Sequence, residues 1–238
     1  MKNAMDTVRE WESATWRRWC LGDGGGVWDS GGVGRRQRWV AVATVVLGWG
    51  LYGFAVGYWR APLQGWYVAL KFPMVIFGTM VATGLLNAML GALLGARTGF
   101  RQSVLMVLVS FAVAGLIVGS LSPLAFFMVL NAPAPGTAEA VRSYSAFMIV
   151  HTLIIAYAGI VANLKLLKEL RRQAESAGAA SRVLVSWLAA NLFVGAQVFW
   201  IFRPWFGQPR LPVQFLRDEP MDGNFYEAIW WSIQNLSR

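Results

Sequence analysis

Apolar residues in this chain neither alternate nor keep to one helical stripe; they come in five long runs. The runs extend from Trp39 to Trp59, from about Pro73 to Gly95, from Ser103 to about Phe127, from Ala146 to Leu164 and from Val183 to Phe202. Each approaches or exceeds the ~20 residues that a helix needs to cross the hydrocarbon of a bilayer. None contains an Asp or Glu, and none contains an internal Lys or Arg. Pro123 lies near the end of the third run, where a kink or stop is expected. The pattern predicts an all-α integral membrane protein of five transmembrane helices.

Two polar joints have structure of their own. "RAPLQGWYVALKFP", residues 60–73, opens with Pro62 and closes with Pro73. It reads as an interfacial helix that turns into the membrane at Pro73, with Lys71 snorkelling to the headgroups; the functional alternative puts Lys71 in a polar cavity as an anion or substrate contact. After the fifth run, "RPWFGQPRLPVQFLRDEP" holds four prolines and three arginines, which end the helix and keep the chain extended. Its arginines are expected to pair with nearby carboxylates or with headgroups. Asn224, with Glu227 three residues later, then fits a helix start. Phe225, Ile229, Trp230, Ile233 and Leu236 recur at helical spacing, predicting an amphipathic helix on the outer membrane surface or on the bundle. The domain reading is therefore a cytoplasmic segment over 1–38, a five-helix membrane domain over 39–203, and an extracytoplasmic tail over 204–238.

Composition agrees with a lipid solvent. Of 238 residues, 56% are hydrophobic and only 14% charged, against the roughly 25% that a water-soluble surface requires. The net charge of +9 could suggest nucleic acid, but in a membrane chain it marks cytoplasmic loops. With the N-terminus inside, the inside segments hold fourteen Lys and Arg and the outside segments seven. That bias predicts a multi-pass protein of the bacterial inner membrane, N-terminus cytoplasmic and C-terminus extracytoplasmic. Trp39, Tyr58, Trp59, Trp66, Trp200 and Trp205 fall at run ends, as an interfacial aromatic belt would have them.

Candidate chemistry is sparse. Cys20 is the only cysteine and His151 the only histidine, which leaves no multi-Cys or His-rich metal set. The first 38 residues lack a secretory signal. Residues 22–34 hold seven glycines in thirteen positions, without the Lys-Ser or Lys-Thr pair of a phosphate-cradling loop; they read as a flexible tether. The preceding "VREWESATWRRWC" reads as an inner-leaflet helix or a partner-binding segment. Within the runs, the polar candidates are Asn87, His151, Asn163, Asn191 and Gln197, which should face other helices or a cavity. Gly53 with Gly57, Gly91 with Gly95, and Gly115 with Gly119 suggest close helix approach.

"RAPLQGWYVALKFP", "LLGARTGFRQS" and "RPWFGQP…QFLR…GNFYEA" resemble a group of poorly characterised bacterial polytopic membrane proteins. Five spans after a cytoplasmic N-terminus also resemble the Yip1-like superfamily, whose eukaryotic members organise vesicle membranes and bind small GTPases. The resemblance implies no catalytic residue. The expectation is a non-enzymatic scaffold, membrane-organising or accessory protein with no cofactor, no metal site and no nucleic-acid partner. Its partners would be the lipid bilayer and a membrane protein or a second copy. The alternative is a small transporter or channel using the amides and His151. The polar positions to follow are Lys71, Asn87, His151, Asn191 and Arg203.

Overall fold

The computed structural model describes residues 35–135, 137, 139–206 and 212–236. The N-terminal Trp-rich and Gly-rich segments and Cys20 lie outside the described residues. The described chain forms seven helices: α1 (Arg35–Gly57), α2 (Pro62–Leu93), α3 (Phe100–Ser120), α4 (Ser122–Leu130), α5 (Ala140–Gln173), α6 (Ala177–Ile201) and α7 (Phe225–Leu236). Five of these, α1, α2, α3, α5 and α6, are long and apolar enough to cross a membrane. The protein is an all-α membrane protein, as the apolar runs predict.

The helix expected over residues 60–73 is present, but it does not turn at Pro73. It continues without a break into the second span as one helix of 32 residues with Pro73 in its interior. Within a bundle the lost N–H of one proline is tolerated, because neighbouring helices and local adjustment re-satisfy the backbone. At about 1.5 Å per residue α2 is roughly 48 Å long, longer than the ~30 Å of hydrocarbon. Pro123 acts as expected: α3 stops at Ser120, and α4 starts anew with the proline in its first turn.

Close packing comes from glycine. A Cβ on Gly48 would collide with the Gly115 carbonyl oxygen, and one on Gly119 would lie 2.9 Å from Gly48 Cα. Backbones of α1 and α3 therefore touch. Gly53 and Gly57 do the same for α1 against α2, where a Cβ would lie 2.7 Å from the Val68 and Gln64 carbonyl oxygens respectively. These contacts are all within one chain, so the small-residue pairs build the monomer.

The two ends of the bundle differ. At one end the α2–α3 and α5–α6 turns are joined: Arg97 N–H donates to Gln173 O, and Glu175 N–H donates to Gly95 O, both at 3.0 Å. At the other end lie the α1–α2 turn, the α4–α5 connection and the tail. Trp59 Nε1 donates to Pro133 O there (3.0 Å).

Replacing Gly48 with Val should lower stability in detergent by roughly 1–3 kcal/mol, the usual range for overpacking. Gly159 faces open space, so Gly159→Ala should leave stability unchanged or raise it slightly. Thermal unfolding of the two purified variants checks the pair.

Candidate functional site

Helix α2 turns Gln64, Val68, Lys71 and Phe72 inward. Lys71 is 0% exposed. Its Nζ donates to Pro204 O (2.9 Å) and lies 5.0 Å from the Phe215 ring centroid and 5.9 Å from that of Trp205. Two turns earlier on the same face, Gln64 Nε2 donates to Pro204 O (2.8 Å) and to Trp205 O (3.3 Å). Two buried donors on one helix thus converge on the backbone just beyond α6. The ammonium contacts a carbonyl and two aromatic faces, with no carboxylate among them. Such contacts offset part of the heavy penalty of burying a charge.

The chain folds this way because α6 ends at Ile201 and leaves carbonyls without helical partners. The tail supplies the partners itself. Trp205 Nε1 donates back to Phe199 O (3.0 Å), and its ring stacks on Phe199 at 4.0 Å and 7°. Phe206 packs against His151 at 5.3 Å. Pro204, Trp205 and Phe206 are all buried.

Several expectations are corrected here. Lys71 does not snorkel to headgroups; it points inward to the tail backbone, which the long side chain reaches because α2 runs on through Pro73. Trp205 and Trp59 are buried rather than members of an interfacial belt, because their indole N–H groups find carbonyls inside the fold. Trp39 and Trp66 are exposed, as belt residues should be. The tail does not leave the bundle at residue 204, since its first residues fill the core.

Arg203 holds the next layer. Its Nη1 donates to Pro220 O (2.7 Å), its Nη2 to Glu219 O and Asp222 O (both 2.8 Å), and its guanidinium lies 4.3 Å from the Trp200 ring. The expected pairing with carboxylates is thus replaced by backbone carbonyls, which a turn over 219–222 aims at one point. Trp200 Nε1 also donates to Asp222 O (2.7 Å). Gly223 follows with φ +69°, a conformation that glycine adopts readily. Asn224 Oδ1 then accepts from Glu227 N–H (3.0 Å) and starts α7. Helix α7 packs through Phe225, Ile229 and Ser232, whereas Trp230 and Ile233 are exposed. The apolar spacing of α7 therefore covers two faces, only one of which meets the bundle.

The remaining polar candidates sit elsewhere. His151 is buried on α5 with Nδ1 2.6 Å from the Tyr52 hydroxyl of α1, and its Nε2 has no partner among the described residues. Asn191 Oδ1 on α6 lies 2.7 Å from Thr83 Oγ1 and accepts from Asn87 Nδ2 (3.4 Å), joining α2 to α6. Asn191 Nδ2 donates back to Trp187 O (2.7 Å), and Asn163 Nδ2 to Gly159 O (2.8 Å). Thr83 and Gln64 had drawn no notice in the sequence, although both are polar residues on an inward face of α2. Among the described residues no group of three or more His, Cys, Asp or Glu is placed to hold a metal ion.

Two cavities stand out among the described residues. One of about 570 Å³ lies at the tail end between α5, α6 and the tail, lined in part by Tyr144, Met148, Phe199, Trp205 and Arg217. The other, about 340 Å³ and largely apolar, lies among α1, α3, α5 and α6, with Ser110, Asn163 and Asn191 as polar lining. Burial pulls the Arg217 guanidinium below its ordinary pKa, with Tyr144 opposing and Arg203 reinforcing the shift. No protein family matches the chain, and neither curated proteins nor solved structures provide a match. Function is therefore argued from this geometry.

If Arg203 clamps the tail, Arg203→Lys should lower stability by about 1.5–3 kcal/mol, since a single ammonium cannot reproduce the fork on three carbonyls. Asn224→Ala should be milder, at about 1 kcal/mol. Thermal unfolding combined with limited proteolysis of the tail measures both; an unaltered Arg203→Lys would remove the clamp.

Proposed function

We propose that this chain is a non-enzymatic polytopic membrane protein serving as a scaffold or accessory subunit, with the tail-end cap as its working surface. One observation carries the reading: of the two cavities described, one is lined by Arg203 and the other by Asn191, but neither is lined by Lys71, Asn87 or His151. Each of these groups is bound between helices, to Pro204, to the Thr83–Asn191 pair and to Tyr52 respectively. A conduit needs polar groups that face a water-filled path and exchange partners with the solute. Here the same groups fix helix against helix and tail against bundle, which is what a scaffold requires.

The cap also presents apolar surface. Tyr226, Trp230 and Ile233 are exposed on α7, and their spacing of four and three residues sets them along one side of the helix. The bilayer interface, a membrane-protein partner and a second copy are the surfaces that suit such a face.

Orientation belongs to the same proposal: N-terminus cytoplasmic, tail extracytoplasmic. Both turns on the tail-distal end carry or adjoin basic residues, with Arg97 and Arg101 beside one and Arg171 and Arg172 beside the other.

Purified protein in liposomes should give proton and small-solute flux no greater than empty vesicles; specific flux abolished by His151→Phe would overturn the scaffold reading. For orientation, the starting point is a Cys20→Ser background. Met221→Cys should react with an impermeant maleimide on intact cells, and Gly99→Cys should react only after lysis.

A further inference from the structure

The tail-end cavity contains a cation that the fold leaves half used. Arg217 Nη1 donates to Gln214 Oε1 (2.9 Å) and Pro212 O (3.3 Å), but its Nη2 is buried with no acceptor among the described residues. An orphaned charged donor is among the more expensive features that a protein can carry. The guanidinium fork suits a planar or phosphate oxyanion. Arg203, also on the cavity wall, is by contrast occupied by carbonyls.

The rest of the lining decides what kind of anion enters. Asp218, Glu219 and Asp222 add three carboxylates to the two guanidinium groups of the wall. A ligand with negative charge alone would be repelled by that rim. A ligand that also carries an ammonium satisfies both sides, and the aromatic Phe225 is on the same wall. Met148 and Phe199, contributed by the spans α5 and α6, form apolar wall in the same cavity. Its volume of about 570 Å³ falls within the usual range of roughly 300–1,000 Å³ for ligand sites.

We infer that this cavity binds a zwitterionic aminophosphate, the headgroup of an ethanolamine phospholipid, with phosphate on Arg217 and ammonium on the acidic rim. The apolar wall accommodates the start of the glycerol and acyl portion, which a soluble aminophosphate lacks. The inference stands apart from the scaffold reading, because a bound lipid is compatible with either a scaffold or a conduit.

The test uses the full chain in detergent and follows thermal unfolding. Titrants are dihexanoyl phosphatidylethanolamine, dihexanoyl phosphatidylglycerol and water-soluble O-phosphoethanolamine. The ethanolamine lipid should raise the unfolding temperature at lower concentration than the glycerol lipid. Arg217→Gln should shift the titration midpoint by about tenfold or more, in keeping with loss of a charge-assisted hydrogen bond. The double variant Glu219→Gln with Asp222→Asn should erase the preference for ethanolamine. It changes only side chains and keeps the backbone carbonyls that hold Arg203, so it informs even if Arg217→Gln fails to fold. A response to both ethanolamine compounds at similar concentration supports the aminophosphate site and assigns it to a soluble ligand; a response to the lipid alone assigns it to the membrane. Equal shifts with both lipid headgroups, or a preference undisturbed in the double acidic variant, would overturn the inference.

Discussion

A buried lysine with no carboxylate beside it among the described residues constrains the tail end of this protein. Lys71 is 0% exposed, and its one hydrogen bond runs to the carbonyl of Pro204. A charge in that position is tolerable only while the carbonyl and the rings of Trp205 and Phe215 stay in place. The tail must therefore remain seated, and the bundle is incomplete without it. Gln64 makes the same demand with a neutral donor, so the Pro204 carbonyl is held twice. From this point the remaining contacts follow in order: Trp205 against Phe199, Phe206 against His151, Arg203 against the 219–222 turn, and Asn224 at the start of α7.

The spans meet this end with a different kind of constraint. Glycine contacts draw α1 onto α2 and α3 until backbones touch, and lipid provides no hydrophobic drive to do this in its place. Polar pairs then tie the more distant helices. Tyr52 with His151 joins α1 to α5, and Thr83 with Asn87 and Asn191 joins α2 to α6. In water such bonds contribute modestly. Within a bundle their placement also limits which helix faces can meet, since an unmatched amide would be left in apolar surroundings.

The spans were legible in the sequence because hydropathy is additive along a chain. Five apolar runs appear as five long helices, and the Pro123 stop falls where the proline excludes helix. The N-cap at Asn224 was equally local and equally visible. What the sequence concealed was long-range. Lys71 and Pro204 are 133 positions apart, and nothing near either residue announces the other. Reading Lys71 as snorkelling was the outcome that local burial rules favour. It failed because α2 passes straight through Pro73 and the tail returns to meet the lysine. Trp205 misled for the same reason: an indole at a span end suits the headgroup layer, and only the stacking on Phe199 shows it belongs inside. The acidic and basic residues of the tail balance in number, which suggested pairing, yet Arg203 is bound by carbonyls because a backbone turn can present several to one fork.

The cap therefore has two surfaces with different tasks. Its inner surface, from Pro204 to Phe206, is part of the core and has no freedom to rearrange without exposing Lys71. Its outer surface, formed by α7 and the residues from Pro212 to Asp222, touches the bundle through α5, α6, the Arg203 fork and, at Phe215, Tyr67 and Lys71 of α2. Arg217 lies on this outer part with one arm committed to Gln214 and the other to no acceptor among the described residues. Across the same cavity from Arg217 lie Tyr144, Met148 and Phe199, which belong to α5 and α6. Those two helices also carry His151 and Asn191, the residues that tie them to α1 and α2.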